Sequence, residues 1–305
     1  MKKAALLLFL GISALGCSTK DDGPSGPEGQ FIKHLSLRLE SGFTWDYEFK
    51  DQGNYFNKYI GTTVQGEVEK YYKYNDLNRL ISVESISNSN ITRYDFGYTG
   101  EKITTITQTD IQNAGTFTKV TNLTYIGDTV VANSPDDPEN LFTRRYTFDS
   151  EGKVVRVQEY VPSINDRYFY NDDTYTYGSA GELTLISRKG YSYSSTFETY
   201  TDHPYLDHEK RFDYFETISN PLYAGAQNIY MNAVLEPKIL ANEFLNDGNS
   251  SIHSIWLLRN YEHYTGGVVS FNVTLSDLDV QENGLPKSGS IAYFMTHNEF
   301  DITYE

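Results

Sequence analysis

The sequence predicts an all-β fold, an antiparallel meander of repeated hairpins that forms a curved or barrel-like sheet. Two observations lead to this prediction. Aromatic residues make up 15% of the 305 residues, with 26 Tyr and 17 Phe, and aromatic and β-branched side chains suit a pleated, half-buried surface. In addition, a hairpin-like stretch recurs at a fairly regular interval through the middle of the chain.

The clearest copy of this stretch runs from Tyr146 to Val157. Aromatic residues alternate into a turn with Asp149 at its first position and Gly152 at its fourth, and a Val-containing run leads out. Asp favours the start of a type I turn, and Gly is favoured where the backbone enters the left-handed region. We therefore interpret Asp149 and Gly152 as structural turn residues.

Five such units align between about residues 70 and 190. Their pre-turn aromatic residues are spaced 24, 27, 23 and 29 residues apart: Tyr74, Tyr98, Tyr125, Phe148 and Tyr177. This period fits one hairpin plus a return connection. Gly181 is the turn glycine of the fifth unit, and Gly284 is that of a sixth, degenerate unit, with final strands predicted at 291–294 and 300–304.

Strands are also predicted before the repeats. The alternation of apolar and polar residues is poor over 32–39, whereas over 43–49 the aromatic residues alternate cleanly onto one face. Residues 203–260 interrupt the pattern and predict a short helical insertion near 221–245. Within it, 221–235 and 238–244 are the expected helices. We expect the insertion to plug or cap one end of the sheet, with strand structure resuming over 251–258.

The N-terminus predicts a lipoprotein. Residues 1–16 combine a positive start with an apolar run at 4–15, which is shorter than the ~20 residues of a membrane span and typical of a signal peptide. The run ends in Ala14-Leu15-Gly16-Cys17, which resembles a bacterial lipobox. The resemblance implies that Cys17, the single cysteine of the chain, is lipidated; the alternative is an ordinary signal peptide followed by a chance cysteine.

The segment after Cys17 predicts an export signal and a tether. Lys20, Asp21 and Asp22 resemble the surface-export signal of Bacteroidota lipoproteins, the alternative being a plain acidic linker. Residues 23–30 are rich in Gly and Pro and are expected to be flexible, so that 17–30 tether the protein. The remaining residues, 31–305, are predicted to form a single β-repeat domain.

The repeats at about 70–190 resemble the tyrosine-aspartate (YD, or Rhs-like) repeat, in which aromatic residues lead into an Asp- or Asn-containing turn. The complete layout adds Asn220-Pro221-Leu222 and Gly284-Leu285-Pro286. This layout is similar to a Bacteroidota outer-membrane lipoprotein family of unknown function with a porin-like fold. The resemblance implies an outer-membrane, lipid-anchored protein exposed at the cell surface.

The strands do not predict a barrel that spans the membrane. Membrane strands need an apolar outward face, whereas the strand faces here carry Arg145, Arg156, Lys119 and many Thr and Ser residues. We therefore expect a water-soluble sheet that contacts the membrane through its lipid anchor.

The net charge of −16 disfavours two classes of partner. An acidic surface repels nucleic acid and anionic lipid head groups, so no nucleic-acid partner is expected.

A single cysteine also excludes an internal disulfide and a cysteine zinc cluster. No metal and no other cofactor is predicted.

Three polar clusters are candidates for metal or ligand sites. His203 and His208 lie among Asp202, Asp207 and Glu209, but a spacing of five places the two imidazoles on opposite faces of a strand, so a solvated loop is favoured. A calcium loop at Asp247, Asn249 and Ser251 lacks its terminal acid. Asp136, Asp137 and Glu139 are interpreted as a solvated loop tip.

The chain carries no nucleophile elbow, phosphate-binding loop or zinc-protease helix. We therefore predict no enzymatic activity, although paired carboxylates for glycoside hydrolysis remain open. The leading hypothesis is a non-enzymatic binding or structural module with a protein or glycan partner. The alternatives are a carbohydrate-active enzyme or glycan-binding accessory protein, and an accessory subunit of an outer-membrane channel.

Rows of Tyr are expected to pack across strands, the alternative being an exposed surface for sugars or a partner.

Overall fold

The computed structural model describes residues 32–51, 54–63, 66–134, 143–162, 167–194, 199–200, 204, 206–240, 253–254, 256–293 and 296–305. These residues form a closed antiparallel barrel of 18 strands. Apart from one two-residue strand, each strand pairs with the next along the chain, and the last pairs with the first through Leu35 opposite Tyr304. The predicted all-β meander is therefore confirmed, and the sheet closes into a barrel.

Nineteen strands are described, of which β14 is a two-residue strand that pairs beside β13. Their bounds are β1 His34–Leu39, β2 Thr44–Lys50, β3 Tyr55–Thr63, β4 Gly66–Tyr74, β5 Leu80–Ser87, β6 Asn90–Thr99, β7 Lys102–Gln112, β8 Gly115–Ile126, β9 Thr129–Asn133, β10 Thr143–Phe148, β11 Val154–Pro162, β12 Arg167–Tyr177, β13 Leu183–Ser194, β14 Thr199–Tyr200, β15 Leu206–Ser219, β16 Trp256–Thr265, β17 Val268–Val280, β18 Pro286–Tyr293 and β19 Thr296–Tyr304.

The repeat turns all lie at one end of the barrel, because alternate connections of a meander share an end. We call this the turn end. Asp149 lies in the β10–β11 turn, where its Oδ1 accepts hydrogen bonds from the backbone N–H groups of Glu151 and Lys153. Gly152 has φ +81°, in the left-handed region that a glycine adopts without steric cost. Gly181 and Gly284 occupy equivalent turns with φ +83° and +81°.

Strand alternation separates an apolar interior from a charged exterior. In β2, Trp45, Tyr47 and Phe49 are buried, whereas the residues between them are not. Apolar side chains inside the barrel stabilise it through burial. The outer face carries ion pairs, including Arg156–Asp172 on β11 and β12, Lys58–Glu69 on β3 and β4, and Arg211–Glu209 on β15.

A short helical segment fills the turn end of the interior. We call residues 220–240 and 253–254 the plug. It contains α1 Tyr223–Gln227, α2 Tyr230–Leu235 and a 3-10 turn, Pro237–Ile239. Its apolar residues Leu222, Ala226, Ile229, Ala233 and Ile239 are each at most 1% exposed, so the plug supplies core that the strands alone lack.

The insertion is shorter than its predicted span of 203–260. Residues 206–219 form β15, because polar and apolar residues alternate there and Phe212 and Tyr214 join the core. Helical structure is described at both predicted places, although the second is only the 3-10 turn. Residues 241–250 lie outside the described part of the chain.

The predicted N-terminal features also lie outside the described residues. These are the signal peptide, Cys17, the export signal at Lys20, Asp21 and Asp22, and the tether. Over the part of the chain that the structure covers, no helix has the length and apolarity needed to cross a membrane.

Candidate functional site

A chamber of about 390 Å³, lined by both charged and apolar side chains, lies inside the barrel between the plug and the wall formed by β7 to β13. On β12, Tyr177 contacts the plug residue His253 with ring centroids 5.4 Å apart, whereas Tyr175, Asp173 and Asn171 line the chamber farther from the turn end. The chamber therefore extends from the plug away from the turn end. We call it the lumenal chamber.

Strand periodicity determines which side chains enter the chamber. Tyr146 on β10 is buried in the core, and Arg144, two residues earlier, lies on the same face. The same spacing places Glu159 beside Val157 on β11, and Asp173 beside Tyr175 on β12. All of these residues line the chamber.

Two ion pairs order the wall. Arg188 donates to both carboxylate oxygens of Asp173, at 2.7 Å from Nε and 2.6 Å from Nη2. Arg144 donates from Nε to Glu159 at 3.0 Å. The Asp173 side chain is 7% exposed and that of Arg188 is 46% exposed, because the guanidinium reaches into the open chamber. Fork-shaped pairs of this kind fix side-chain geometry as well as charge.

The plug forms the floor of the chamber and is tied to the wall by hydrogen bonds. The hydroxyl of Tyr72 donates a hydrogen bond to the carbonyl of Ile239 at 2.9 Å. Lys70 donates to the carbonyls of Lys238, at 2.9 Å, and Leu240. Because β4 carries both Tyr72 and Lys70, this strand holds the 3-10 turn that follows α2.

Glu236 is the carboxyl that the plug contributes to the chamber floor. Burial raises the pKa of this carboxyl above its ordinary value, and the nearby cations Arg144, Lys238 and Lys119 oppose the rise. Burial disfavours the charged form of an acid, and cations favour it. Desolvation is the larger effect here.

A second chamber of about 150 Å³ adjoins the first. The two share Asp173, Tyr175 and Arg188, so the ion pair lies at their junction. The second chamber adds Ile186, His208, Lys210 and His263. The rings of His208 and His263 meet edge to face with centroids 4.9 Å apart.

The histidine cluster considered as a metal site does not converge within the described residues, and the expected solvated loop is wrong for residues 207–209, which belong to β15. His208 faces the second chamber, whereas Asp207 is exposed on the outside and Glu209 pairs with Arg211 on the outer face. Asp202 and His203 lie outside the described residues. Among the residues that the structure describes, no three His, Cys, Asp or Glu side chains are grouped so that they could hold a metal ion.

The calcium-like loop at Asp247, Asn249 and Ser251 and the acidic loop at 136–139 fall outside the described residues. The turn residues Asp149, Gly152, Gly181 and Gly284 do not line either chamber.

The repeated tyrosines have a role that sequence analysis did not predict. Tyr125 on β8 donates its hydroxyl to the carbonyl of Ile103 on β7 at 2.9 Å. The same link from a tyrosine to the start of the preceding return strand recurs in the described chain, from the pre-turn residues Tyr98 to Leu80 and Tyr177 to Val154, and also from Tyr214 to Leu183 and Tyr304 to Pro286. We call this set the tyrosine ladder. It connects consecutive hairpins near the turn end.

Arg144, Glu159, Asp173 and Arg188 were also not predicted from the sequence. A signal for two of them was present, since Arg144 and Asp173 are charged residues on the same face as Tyr146 and Tyr175. Charged residues on a core face point to a buried pair or a polar cavity. Their partners could not be assigned without the strand register, which places Arg144 opposite Glu159 and Asp173 opposite Arg188.

The fold and the chamber define this protein as a closed β-barrel with an internal helical plug and a charged lumen. No family model and no curated protein matches the chain. Solved structures similar to it include a porin-like protein from Bacteroides uniformis, at 11% identity and a TM-score of 0.33, over 92% of this chain and 100% of that one. Another is the TcdB2-TccC3-TEV structure, at 11% identity and a TM-score of 0.31, over 81% of this chain and 13% of that one. Both scores are below 0.5, so neither likeness bears on function.

Proposed function

We propose that this protein is a lipid-anchored outer-membrane protein, exposed at the cell surface, whose barrel is a non-enzymatic binding module. The lumenal chamber is its ligand site. One observation carries the proposal: a chamber of about 390 Å³ lies inside a closed barrel and is lined by side chains held in ion pairs. Ligand pockets occupy roughly 300–1,000 Å³ and combine an apolar lining with a few fixed polar groups.

The plug supports binding over conduction. Its contacts reach strands on different sides of the interior, from Tyr72 on β4 to Tyr146 on β10. A further bond joins the Val154 N–H on β11 to the Tyr230 hydroxyl at 3.0 Å. A ligand that enters the chamber therefore meets a packed floor at the turn end.

The charged exterior supports attachment by a lipid anchor. A charged side chain that faces lipid costs about 2–4 kcal/mol at the bilayer midplane for Arg or Lys. Arg156, Arg211 and Lys58 lie on the outer face in ion pairs.

The anchor is tested by metabolic labelling with a fatty-acid analogue. Wild-type protein should take up the label and Cys17→Ala should not, whereas an unlabelled wild type would contradict the anchor.

The ligand site is tested by filling the chamber. Thr121 on β8 lines the chamber, whereas Thr124 on the same strand is exposed on the outer face. A library of sugars, organic acids and amino acids is screened by thermal shift against wild type, Thr121→Trp and Thr124→Trp. We expect compounds that stabilise wild type and Thr124→Trp but not Thr121→Trp. If no compound distinguishes Thr121→Trp from the other two proteins, the chamber is not a ligand site.

A carbohydrate-active enzyme is the second candidate, favoured by Glu236. A carboxyl with a raised pKa inside a polar chamber is the type of group that acts as a general acid. Release of reducing sugar from cell-surface glycans by wild type, and its loss in Glu236→Gln, would support this alternative. Activity that Glu236→Gln retains would exclude Glu236 as the acid.

A further inference from the structure

The lining of the two chambers reverses the charge balance of the chain. Across both chambers the basic side chains outnumber the carboxyl side chains by five to three: Lys119, Arg144, Arg188, Lys210 and Lys238 against Glu159, Asp173 and Glu236. The whole chain has a net charge of −16. A basic interior inside an acidic protein concentrates positive potential where low-dielectric walls focus it.

The basic groups are divided between the two adjoining chambers. Lys119 and Lys238 line the lumenal chamber, and Lys210 lines the second chamber. Arg188 lies at the junction, where Asp173 occupies its Nε and Nη2 donors. A guanidinium has five N–H donors, so the pair leaves Arg188 with capacity to donate to a ligand.

The chamber also offers an acceptor. Asn171 lines the lumenal chamber, and its Oδ1 atom is buried without a hydrogen-bond partner among the described residues. A buried acceptor left unpaired is unfavourable, because it has lost its hydrogen bonds to water. A hydroxyl group of a ligand would pair with it.

From this arrangement we infer that the lumen binds a small hydroxylated organic anion that carries a carboxylate at each end. One carboxylate lies toward Lys119 and Lys238, the other toward Lys210, and hydroxyl groups lie between them near Asn171. The inference rests on the proposed binding function and specifies its ligand class. Lys and Arg are the donors that recognise carboxylates.

The test compares sorbitol, gluconate and glucarate, which share an open six-carbon polyol chain and carry no, one and two carboxylates. Each is titrated by calorimetry into the intact protein. We expect glucarate to bind most tightly, gluconate at least tenfold more weakly, and sorbitol without measurable heat. Lys119→Gln and Lys210→Gln should each weaken glucarate binding by about tenfold, as expected for the loss of one charged contact.

Lys189→Gln is the matched control, since Lys189 follows Arg188 on β13 and is exposed on the outer face. It removes the same charge from the chain and should leave glucarate affinity unchanged. Circular dichroism and the thermal midpoint show that each variant is folded. The double variant Lys119→Gln with Lys210→Gln should abolish glucarate binding, because both carboxylates of the ligand then lose a lysine.

Three outcomes overturn the inference: sorbitol binding as tightly as glucarate, equal loss in Lys189→Gln, or no heat from any of the three compounds. If sorbitol binds as tightly as glucarate, or if none of the three compounds gives heat, the proposed binding function is still supported when the library screen finds a compound that Thr121→Trp excludes. Glucarate that binds Thr121→Trp as tightly as wild type would overturn both, because the site would then lie outside the lumen.

Discussion

The hydroxyl group of Tyr146, on strand β10 of the barrel wall, donates a 3.0 Å hydrogen bond to the carbonyl oxygen of Leu235, the last residue of α2. The final carbonyls of a helix have no partner within the helix. The wall therefore completes the hydrogen bonding of the plug, and the same hydroxyl accepts a bond from Arg144 Nη1 at 3.3 Å. Plug, wall and lumenal chamber meet at this one side chain.

Tyr146→Phe should lower the free energy of unfolding by about 1–3 kcal/mol, because the Leu235 carbonyl remains buried without its donor. Urea denaturation measures the change. Tyr191→Phe, on the outer side of β13, serves as the control and should stay within about 0.5 kcal/mol of wild type. Equal stabilities for the two variants would show that the wall does not hold the plug through Tyr146.

The tyrosine ladder predicts opposite effects at two equivalent positions. Tyr125→Phe loses the bond to the Ile103 carbonyl and should destabilise the protein by about 0.5–1.5 kcal/mol. The Tyr74 hydroxyl is buried without a partner among the described residues, so Tyr74→Phe should be neutral or stabilising. Thermal unfolding of the two variants side by side measures this, and a larger loss in Tyr74→Phe would contradict the ladder.

His253 makes the folded state sensitive to acid. Burial, with a smaller contribution from Lys153, lowers the pKa of its imidazole to about 3, from an ordinary value of 6.5. The unfolded chain therefore binds a proton that the folded protein does not between these two values. Stability is fully present above pH 6.5 and falls by up to about 1.4 kcal/mol per pH unit below it.

His253→Phe keeps the ring contacts with Tyr177 and Tyr230 and should flatten this dependence. Urea unfolding at pH 7, 6, 5 and 4 measures the slope in each protein. His297→Gln, at an exposed position, provides the control and should keep the wild-type slope. A steep slope that survives in His253→Phe would assign the acid sensitivity elsewhere.

Glu236 predicts the reverse dependence. Burial raises the pKa of its carboxyl, so the folded protein holds a proton that the unfolded chain releases. The contribution of Glu236 is fully present below the ordinary pKa of a glutamate and is lost as the pH rises through the raised value. Relative to wild type, Glu236→Gln should become progressively more stable as the pH is raised from 4 to 8. A difference that does not change with pH would contradict this reversal.

Local patterns predicted the hairpins well. Asp149 accepts hydrogen bonds from two N–H groups within its own turn. Because such contacts span only a few residues, they can be predicted from the sequence. The alternation of Trp45, Tyr47 and Phe49 likewise predicted which face of β2 is buried. The insertion was less predictable, because residues 206–219 carry strand alternation without the turn signals of the repeat.

The lumenal chamber depends on contacts that local patterns do not encode. Arg188 and Asp173 are brought opposite each other by the β12–β13 register, and that register follows from a bulge between Thr176 and Tyr177. His208 and His263 meet because β15 pairs with β16 across the plug segment. Neither pairing has a sequence signature, since each strand position tolerates many residues.

By itself, the sequence determined an acidic, aromatic-rich, all-β meander with repeated turns at Asp149, Gly152, Gly181 and Gly284, because turn chemistry and strand alternation act over a few residues. Only the tertiary structure decided that the sheet closes at 18 strands, that residues 220–240 enter its interior, and that basic side chains converge in the lumen. Closure and plugging depend on long-range hydrogen bonds and packing, in which residues more than a hundred positions apart, such as Tyr72 and Ile239, determine each other's place.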